Sequence, residues 1–383
     1  MKYKTLFNPF SIGNKEAPNR LVSQAMEGND GDPGGSVSER TLNRYKKLAK
    51  GNWGIVIVEA ISITGESLAR KNGLILIREN LESFKKLVKE FKTINPKGLL
   101  LFQISHAGYK SGPFSRKTTI CPGVEDADYL KTEEIADIKK AFVESVLLAE
   151  EAGADGCDFK MCHGYFGSEM LRPANIREDI WGGSFENRTR FLREAISEIK
   201  DRIKDSNFII GSRLSLYEGI RGGCGTVEAD QILEDTTEMD QVIRLMDQLG
   251  MNYVNVSAGI PGVTSELTRP TKPSKYLYLH LAGYAKHVKE LGTSLAVIGS
   301  GYTILEKEAA AFADENITQN YADFAGFGRM SFSDPLYPSK LQSGEEINYC
   351  TACSGCSRLM IRQVNDGCIL YNDYYKELHR TSK

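Results

Sequence analysis

The chain has no excess of charge of either sign: 48 Lys and Arg stand against 50 Asp and Glu, a formal net charge of −2. That balance gives no reason to expect nucleic acid or an acidic membrane surface as a partner. Long hydrophobic runs are also missing, and none approaches the roughly 20 apolar residues that span a bilayer. The opening Met1-Lys2-Tyr3-Lys4-Thr5 leads into no apolar leader segment. These absences lead to the expectation of a cytoplasmic protein. The phosphate-binding G-x-G-x-x-G pattern is absent from the first βα turn, which argues against a doubly wound open sheet. A secreted disulfide framework is lacking too, since Cys121, Cys157, Cys162 and Cys224 are scattered and read as free thiols of a reducing compartment.

What the chain does have is length and alternation. With 383 residues, 41% of them hydrophobic, there is room for one large domain and an appendage. Apolar strand patterns fall at 20–24, 54–59, 99–104, 155–160, 208–214, 253–257, 296–299 and 324–328. Charged amphipathic segments lie between them at 38–49, 80–91, 133–152, 190–204, 239–249, 277–291 and 305–315. In the third segment Ile135, Ile138, Phe142, Val146 and Ala149 recur at helical spacing, one buried face of a helix. Thr132 offers a capping oxygen there, and Glu133 and Glu134 suit the positive end of the helix dipole. Eight strands alternating with helices predict a (β/α)8 TIM barrel over residues 1–340, followed by a short cysteine-rich extension over 341–383.

A barrel gathers its chemistry at the C-terminal ends of its strands. Those ends carry Gln24-Ala25-Met26-Glu27, Glu59-Ala60, Gln103-Ile104-Ser105-His106, Arg213, Ser257, Gly299-Ser300-Gly301 and Gly328-Arg329. The glycine turns after the seventh and eighth strands, with Arg329 beside them, suit a phosphate held on backbone amides. After the fourth strand Lys160, His163 and Tyr165 fall within six residues. An ammonium, an imidazole and a phenol together suit a carbonyl-reactive site, whereas a core needs no such combination.

Several longer motifs carry a resemblance. They are Phe7-Asn8-Pro9-Phe10-Ser11-Ile12-Gly13 with Asn19-Arg20, Gln103-x-x-His106-Ala107-Gly108, and His163-Gly164-Tyr165. To these add Trp181-Gly182-Gly183-Ser184-Phe185-Glu186-Asn187-Arg188 and Gly328-Arg329 before Asp334-Pro335. In this order they resemble the old yellow enzyme family of FMN-dependent NAD(P)H:flavin oxidoreductases, over roughly residues 5–340. The resemblance implies FMN as cofactor and NAD(P)H as reductant. It implies that Ala25, Met26 and Ala60 line the flavin and that Gln103 bonds its pyrimidine side. Arg213 would counter the negative charge of the reduced ring, and Ser300, Gly301, Gly328 and Arg329 would hold the phosphate.

The same resemblance implies a carbonyl-binding pair at Lys160 and His163 and a proton donor at Tyr165. The implied reaction is hydride transfer to the β-carbon of an α,β-unsaturated carbonyl or enoate, with a proton from Tyr165 to the α-carbon. Lys160 departs from the family's imidazole; it either binds a developing enolate or carboxylate, or turns away to a carboxylate of its own. His106 either contacts flavin or substrate or caps the third strand. Glu27 stands where relatives often have a small polar residue, so a flavin-tuning role is not carried over. The glycine-rich loop 217–238 is expected to cover the substrate.

Cys350, Cys353, Cys356 and Cys368 lie within 19 residues, a metal-site pattern. Their segment resembles the iron–sulfur segment of longer family members such as dienoyl-CoA reductase and trimethylamine dehydrogenase. Those members usually have three residues, not two, between the second and third cysteines. Four thiolates suit a 4Fe–4S cluster or Zn²⁺, and buried cysteines without metal are a third reading; three cysteines in seven residues favour the cluster. A cluster would make room for an electron-donor protein as partner. An oxidative reading, an amine or alcohol dehydrogenase passing electrons out through the cluster, is the alternative to ene reduction. No nucleic-acid or membrane partner is expected, and a homo-oligomer stays open.

Overall fold

The structure is a computed structural model and describes residues 2–270 and 275–382. Eight parallel strands close into a barrel: β1 (Leu21–Ser23), β2 (Ile55–Ser62), β3 (Leu99–Ser105), β4 (Gly156–Met161), β5 (Ile209–Ser215), β6 (Tyr253–Ser257), β7 (Ala296–Gly299) and β8 (Phe324–Phe327). Pairing runs in sequence order around the ring, and β8 returns to β1 with Ala325 opposite Leu21. Each strand end falls within three residues of its expected position. Apolar runs buried on both faces bound these strands sharply, because one face meets the barrel interior and the other meets the helices.

The helices are α1 (Glu39–Lys50), α2 (Leu81–Ile94), α3 (Thr132–Glu151), α4 (Phe185–Arg202), α5 (Thr237–Gln248), α6 (Lys275–Glu290), α7 (Ala309–Thr318) and α8 (Tyr337–Ser343). Two starts differ from expectation. Thr132 is the first helical residue of α3 rather than its cap, and its hydroxyl donates to Asp179 at 2.6 Å. The Glu134 carboxylate instead accepts the Lys131 N–H at 2.8 Å. Helix α4 begins five residues before the expected 190, because Ser184 Oγ accepts the Asn187 N–H and caps it. The Trp181–Arg188 motif is therefore a helix entrance.

The N-terminal motif closes the bottom of the barrel. Phe10–Ile12 and Lys15–Ala17 form an antiparallel hairpin, and Ile12 and Ala17 pack with Val22, Ile57, Leu101, Ile209 and Ile298 inside the ring. Phe10 meets Phe324 edge-on at 5.4 Å, and the Arg20 guanidinium lies over the Phe10 ring. These apolar contacts fill the lower end of the barrel.

The extension does not stand apart from the barrel. Its helices α9 (Gly355–Ile361) and α10 (Asp373–Thr381) dock back over the mouth. Asn29 Nδ2 donates to Val364 O, Asn365 Nδ2 donates to Asn29 O, and the Asp366 N–H donates to Gly28 O at 2.7 Å. Gln363 Nε2 donates to Ala69 O, and Gln363 Oε1 accepts the Lys71 N–H. Among the described residues no helix is long and apolar enough to cross a membrane.

Candidate active site

A cavity of about 260 Å³ opens at the C-terminal end of the barrel. Of the residues expected at a cofactor or catalytic site, Ala25, Met26, Gln103, Lys160, His163, Tyr165, Arg213, Ser300, Gly301, Gly328 and Arg329 all line it. Ala60 does not; it borders a small neighbouring cavity that shares Glu27, Arg70 and Tyr165 with the main one. The 217–238 loop contributes no lining residue, contrary to expectation. The wall on that side comes from Pro261, Thr268 and Arg269 after β6 and from Met360 and Asp366 of the extension.

The floor is a polar network fixed by strand ends. Arg213 Nη1 donates to Gln24 Oε1 at 2.6 Å, while the Gln24 and Asn255 amides exchange hydrogen bonds of 2.8 and 2.7 Å. Gln103 Nε2 donates to Asp158 Oδ1, and the Tyr253 hydroxyl donates to Asp158 Oδ2. Burial raises the Asp158 carboxyl above its ordinary range. These bonds leave the Gln103 carbonyl and the upper edge of Arg213 to face the cavity. Arg213 Nε is buried with no partner among the described residues. Gln24 was missed as a positioning residue, although its place at the end of β1 was a signal for it.

The loop after β1 is held from below. Arg44 pairs with Asp30 at 2.9 Å and with Glu59 at 2.7 Å, and Glu59 also accepts the Gly28 N–H. Burial lifts the Glu59 carboxyl to about 7. The loop presents Glu27 upward, where Arg70 pairs with it at 2.8 Å.

The fourth strand ends in a tight turn. His163 and Gly164 both have positive φ, 65° and 75°. A side chain at Gly164 would press on Lys110 Cε at 3.1 Å and Ile260 Cγ2 at 3.2 Å, so glycine is required there. The Gly164 N–H donates to Ser168 Oγ and to Glu218 Oε1, each at 3.1 Å, and Glu218 pairs with Arg172 at 2.7 Å. Glu218 is thus what the 217–238 segment gives the site: a buried anchor for the turn.

That turn aims three side chains at the cavity. His163 Nε2 lies 2.7 Å from Ser257 Oγ. Burial first, then Arg213, Lys160, Arg269 and Lys110, push the imidazole well below its ordinary pKa, so it is neutral. The Lys160 ammonium lies 3.3 Å from the Tyr165 ring centroid and has no carboxylate within 4 Å among the described residues. The Tyr165 hydroxyl donates toward Glu27, 3.3 Å from Oε1 and 3.4 Å from Oε2. Burial and then the Glu27 charge raise the phenol's pKa, so it keeps its proton. His106 takes the structural alternative. Its Nδ1 accepts the Gly108 N–H, its ring packs edge-on against Phe166, and burial drops its pKa to about 3.

One comparison decides the family. The profile of the NADH:flavin oxidoreductase / NADH oxidase family matches residues 5–348. The chain belongs to this family. Its sequence is similar to NADH oxidase of Thermoanaerobacter brockii, 30% identical over 371 residues covering 92% of this chain and 54% of the relative. It is also similar to NADPH dehydrogenase of Clostridium acetobutylicum, 30% identical over 262 residues covering 66% of this chain and 74% of the relative. The chain spans about half the length of the NADH oxidase. In fold it matches a complex of 2-naphthoyl-CoA reductase with 2-naphthoyl-CoA, with a TM-score of 0.84 at 21% identity, over 98% of this chain and 58% of that one.

The mouth of this barrel fits the FMN that the family implies. Buried orphan polar atoms at Arg213 Nε and Thr303 Oγ1 await partners, the first at the ring end and the second beside the turn after β7. Gly301 has φ of 91°, where the bare backbone lines the cavity, and Arg329 donates to Pro270 O at 3.3 Å from the opposite turn. The four extension cysteines line one separate small cavity together with Arg329, Phe332 and Tyr371. Among the described residues, no three His, Cys, Asp or Glu side chains converge closely enough to hold a metal ion.

Proposed function

We propose that this flavoprotein reduces the C=C bond of an α,β-unsaturated carbonyl compound or enoate, with Tyr165 as the proton donor. The observation that carries the reading is the Lys160–His163–Tyr165 cluster, an ammonium, a neutral imidazole and a protonated phenol lining one cavity at the barrel mouth. FMN, when bound, supplies hydride chemistry; Gln103, Arg213 and the Ala25–Met26 backbone would orient its ring. Ser300, Gly301, Gly328 and Arg329 would hold its phosphate. Lys160 and His163 bind and polarise the substrate carbonyl oxygen, where negative charge grows in the transition state. Tyr165 gives its phenolic proton to the α-carbon without prior ionisation. NAD(P)H is the reductant.

A dehydrogenase that passes electrons to a partner protein is the second reading, favoured by four cysteines sharing one cavity next to Arg329. Cys350, Cys353, Cys356 and Cys368 would hold a 4Fe–4S cluster in it. The cations around His163 oppose a cationic amine as substrate. Dithionite-reduced holoenzyme mixed with enones and enoates, and oxidised holoenzyme mixed with amines and alcohols, separate the readings. Reoxidation by the unsaturated compounds is expected; FAD in place of FMN, or no flavin after reconstitution, overturns both.

A further inference from the structure

Six cations line the main cavity against two carboxylates, Glu27 and Asp366. A flavin phosphate brings about two negative charges, and the cations still outnumber the anions. Elsewhere in the interior, buried arginines are paired: Arg44 with Asp30 and Glu59, Arg172 with Glu218, Arg177 with Asp179. At the mouth Arg70 is paired with Glu27. Lys110, Lys160 and Arg269 differ, since none has a carboxylate oxygen within 4 Å among the described residues. Among the described residues Arg269 reaches weak acceptors alone, Ser357 Oγ at 3.4 Å and Met360 Sδ at 3.3 Å. Asp366, on the same wall, lies beyond the 4 Å of an ion pair with it, and its Oδ1 has no partner among the described residues. All three line the same cavity as His163.

Sequestering cations without counter-charge is costly, and the cost falls when an anion enters. We propose that Lys110, Lys160 and Arg269 form an anion subsite for the substrate, so that the substrates are unsaturated carboxylic acids rather than neutral enones. This rests on the reductase reading and narrows it. Lys110 comes from the loop after β3 and Arg269 from the loop after β6, so the subsite draws on two separate loops of the mouth. The extension backs Arg269 through Ser357 and Met360.

The test uses oxidised holoenzyme, where no turnover occurs, and reads the flavin absorbance during titration. The probes are cyclohex-1-ene-carboxylate and its isosteric carboxamide, which match in shape while only the first carries a charge. The carboxylate is expected to bind about 10-fold or more tighter, a preference weakened by salt. Arg269→Gln and Lys110→Met should each reduce that preference about 10-fold, with amide binding and FMN content unchanged. Equal binding of the two probes overturns the subsite, as does equal weakening of both in the variants. Loss of FMN from Arg269→Gln would move Arg269 to the cofactor phosphate and overturn it too. A variant defect confined to flavin reduction by NADPH, and absent with NADH, would assign the cations to the nucleotide phosphate instead. If the acid binds as expected but reduced enzyme turns over neither probe, the reductase reading fails while the subsite stands.

Discussion

The Tyr165 hydroxyl points at the Glu27 carboxylate, 3.3 Å from its nearer oxygen, while the Lys160 ammonium sits 3.3 Å from the centroid of the same ring. The phenol is therefore held between an anion that keeps its proton on and a cation that eases its release. Arg70, Lys160 and Arg269 outweigh the burial of Glu27 and hold that carboxyl below its ordinary range. Glu27 is thus an acceptor at neutral pH, with Arg70 fixing its direction.

Removing the phenol should separate two half-reactions. Tyr165→Phe is expected to slow reoxidation of reduced enzyme by the unsaturated substrate about 10²–10⁴-fold, the usual loss for a general acid. Flavin reduction by NAD(P)H should hardly change, because no proton passes from Tyr165 in that step. Stopped-flow measurement of each half decides it, and equal slowing of both would make Tyr165 a packing residue.

Changing Glu27 should move a pH profile rather than abolish the step. Its negative charge disfavours the phenolate and so raises the Tyr165 pKa. In Glu27→Gln that charge is gone and Arg70 is left unpaired beside the ring, which lowers the phenol pKa further. The alkaline limb of the substrate half-reaction should move to lower pH, while the rate on the acid side is retained. An unmoved limb would mean that Glu27 does not govern the proton on Tyr165.

The barrel was legible because its strands are apolar runs with glycine-rich or polar ends, which left their boundaries little freedom. Tyr253–Ser257 and Ala296–Gly299 match the sequence reading to the residue. The start of α4 was harder, since Ser184 and Phe185 sit inside a motif first noticed for its resemblance. Most of the site could be read from strand ends, where side chains must face the mouth. Arg70, Met360 and Asp366 could not, because nothing local marks a residue that reaches the cavity only through a long loop or a docked tail. The cysteines drew attention to the extension for metal binding and left its role as a pocket wall unread. In the 217–238 segment the glycines suggested a cover, whereas the long-range bond from Gly164 to Glu218 gives it a buttressing role.

His106 should make the fold acid-sensitive. Its folded pKa of about 3 lies below the ordinary 6.5, so the unfolded chain binds one more proton between those values. Stability from this residue is complete above pH 6.5 and is lost as pH falls toward 3. At about 1.4 kcal/mol per unit, roughly 2 kcal/mol would be gone by about pH 5. Urea denaturation of wild type and His106→Asn should show the variant losing less stability between about pH 6.5 and pH 5. Identical slopes would place the acid sensitivity elsewhere.

The cysteines separate a cluster from a plain thiol segment. If they hold iron, anaerobically purified protein should contain about four irons and four sulfides beyond the flavin. Cys353→Ser should then remove iron while FMN remains, because no extension cysteine lines the flavin cavity. The four thiols share one cavity. Helix α9 carries both Cys356 and the pocket-lining Met360, so loss of a cluster should be felt at the substrate wall. Iron-free Cys353→Ser should therefore show altered affinity for substrate analogues alongside unchanged FMN content. Zinc in place of iron would make the segment a structural clip. Metal-free wild-type protein with full NAD(P)H-dependent turnover would end the electron relay and leave reduction to the flavin alone.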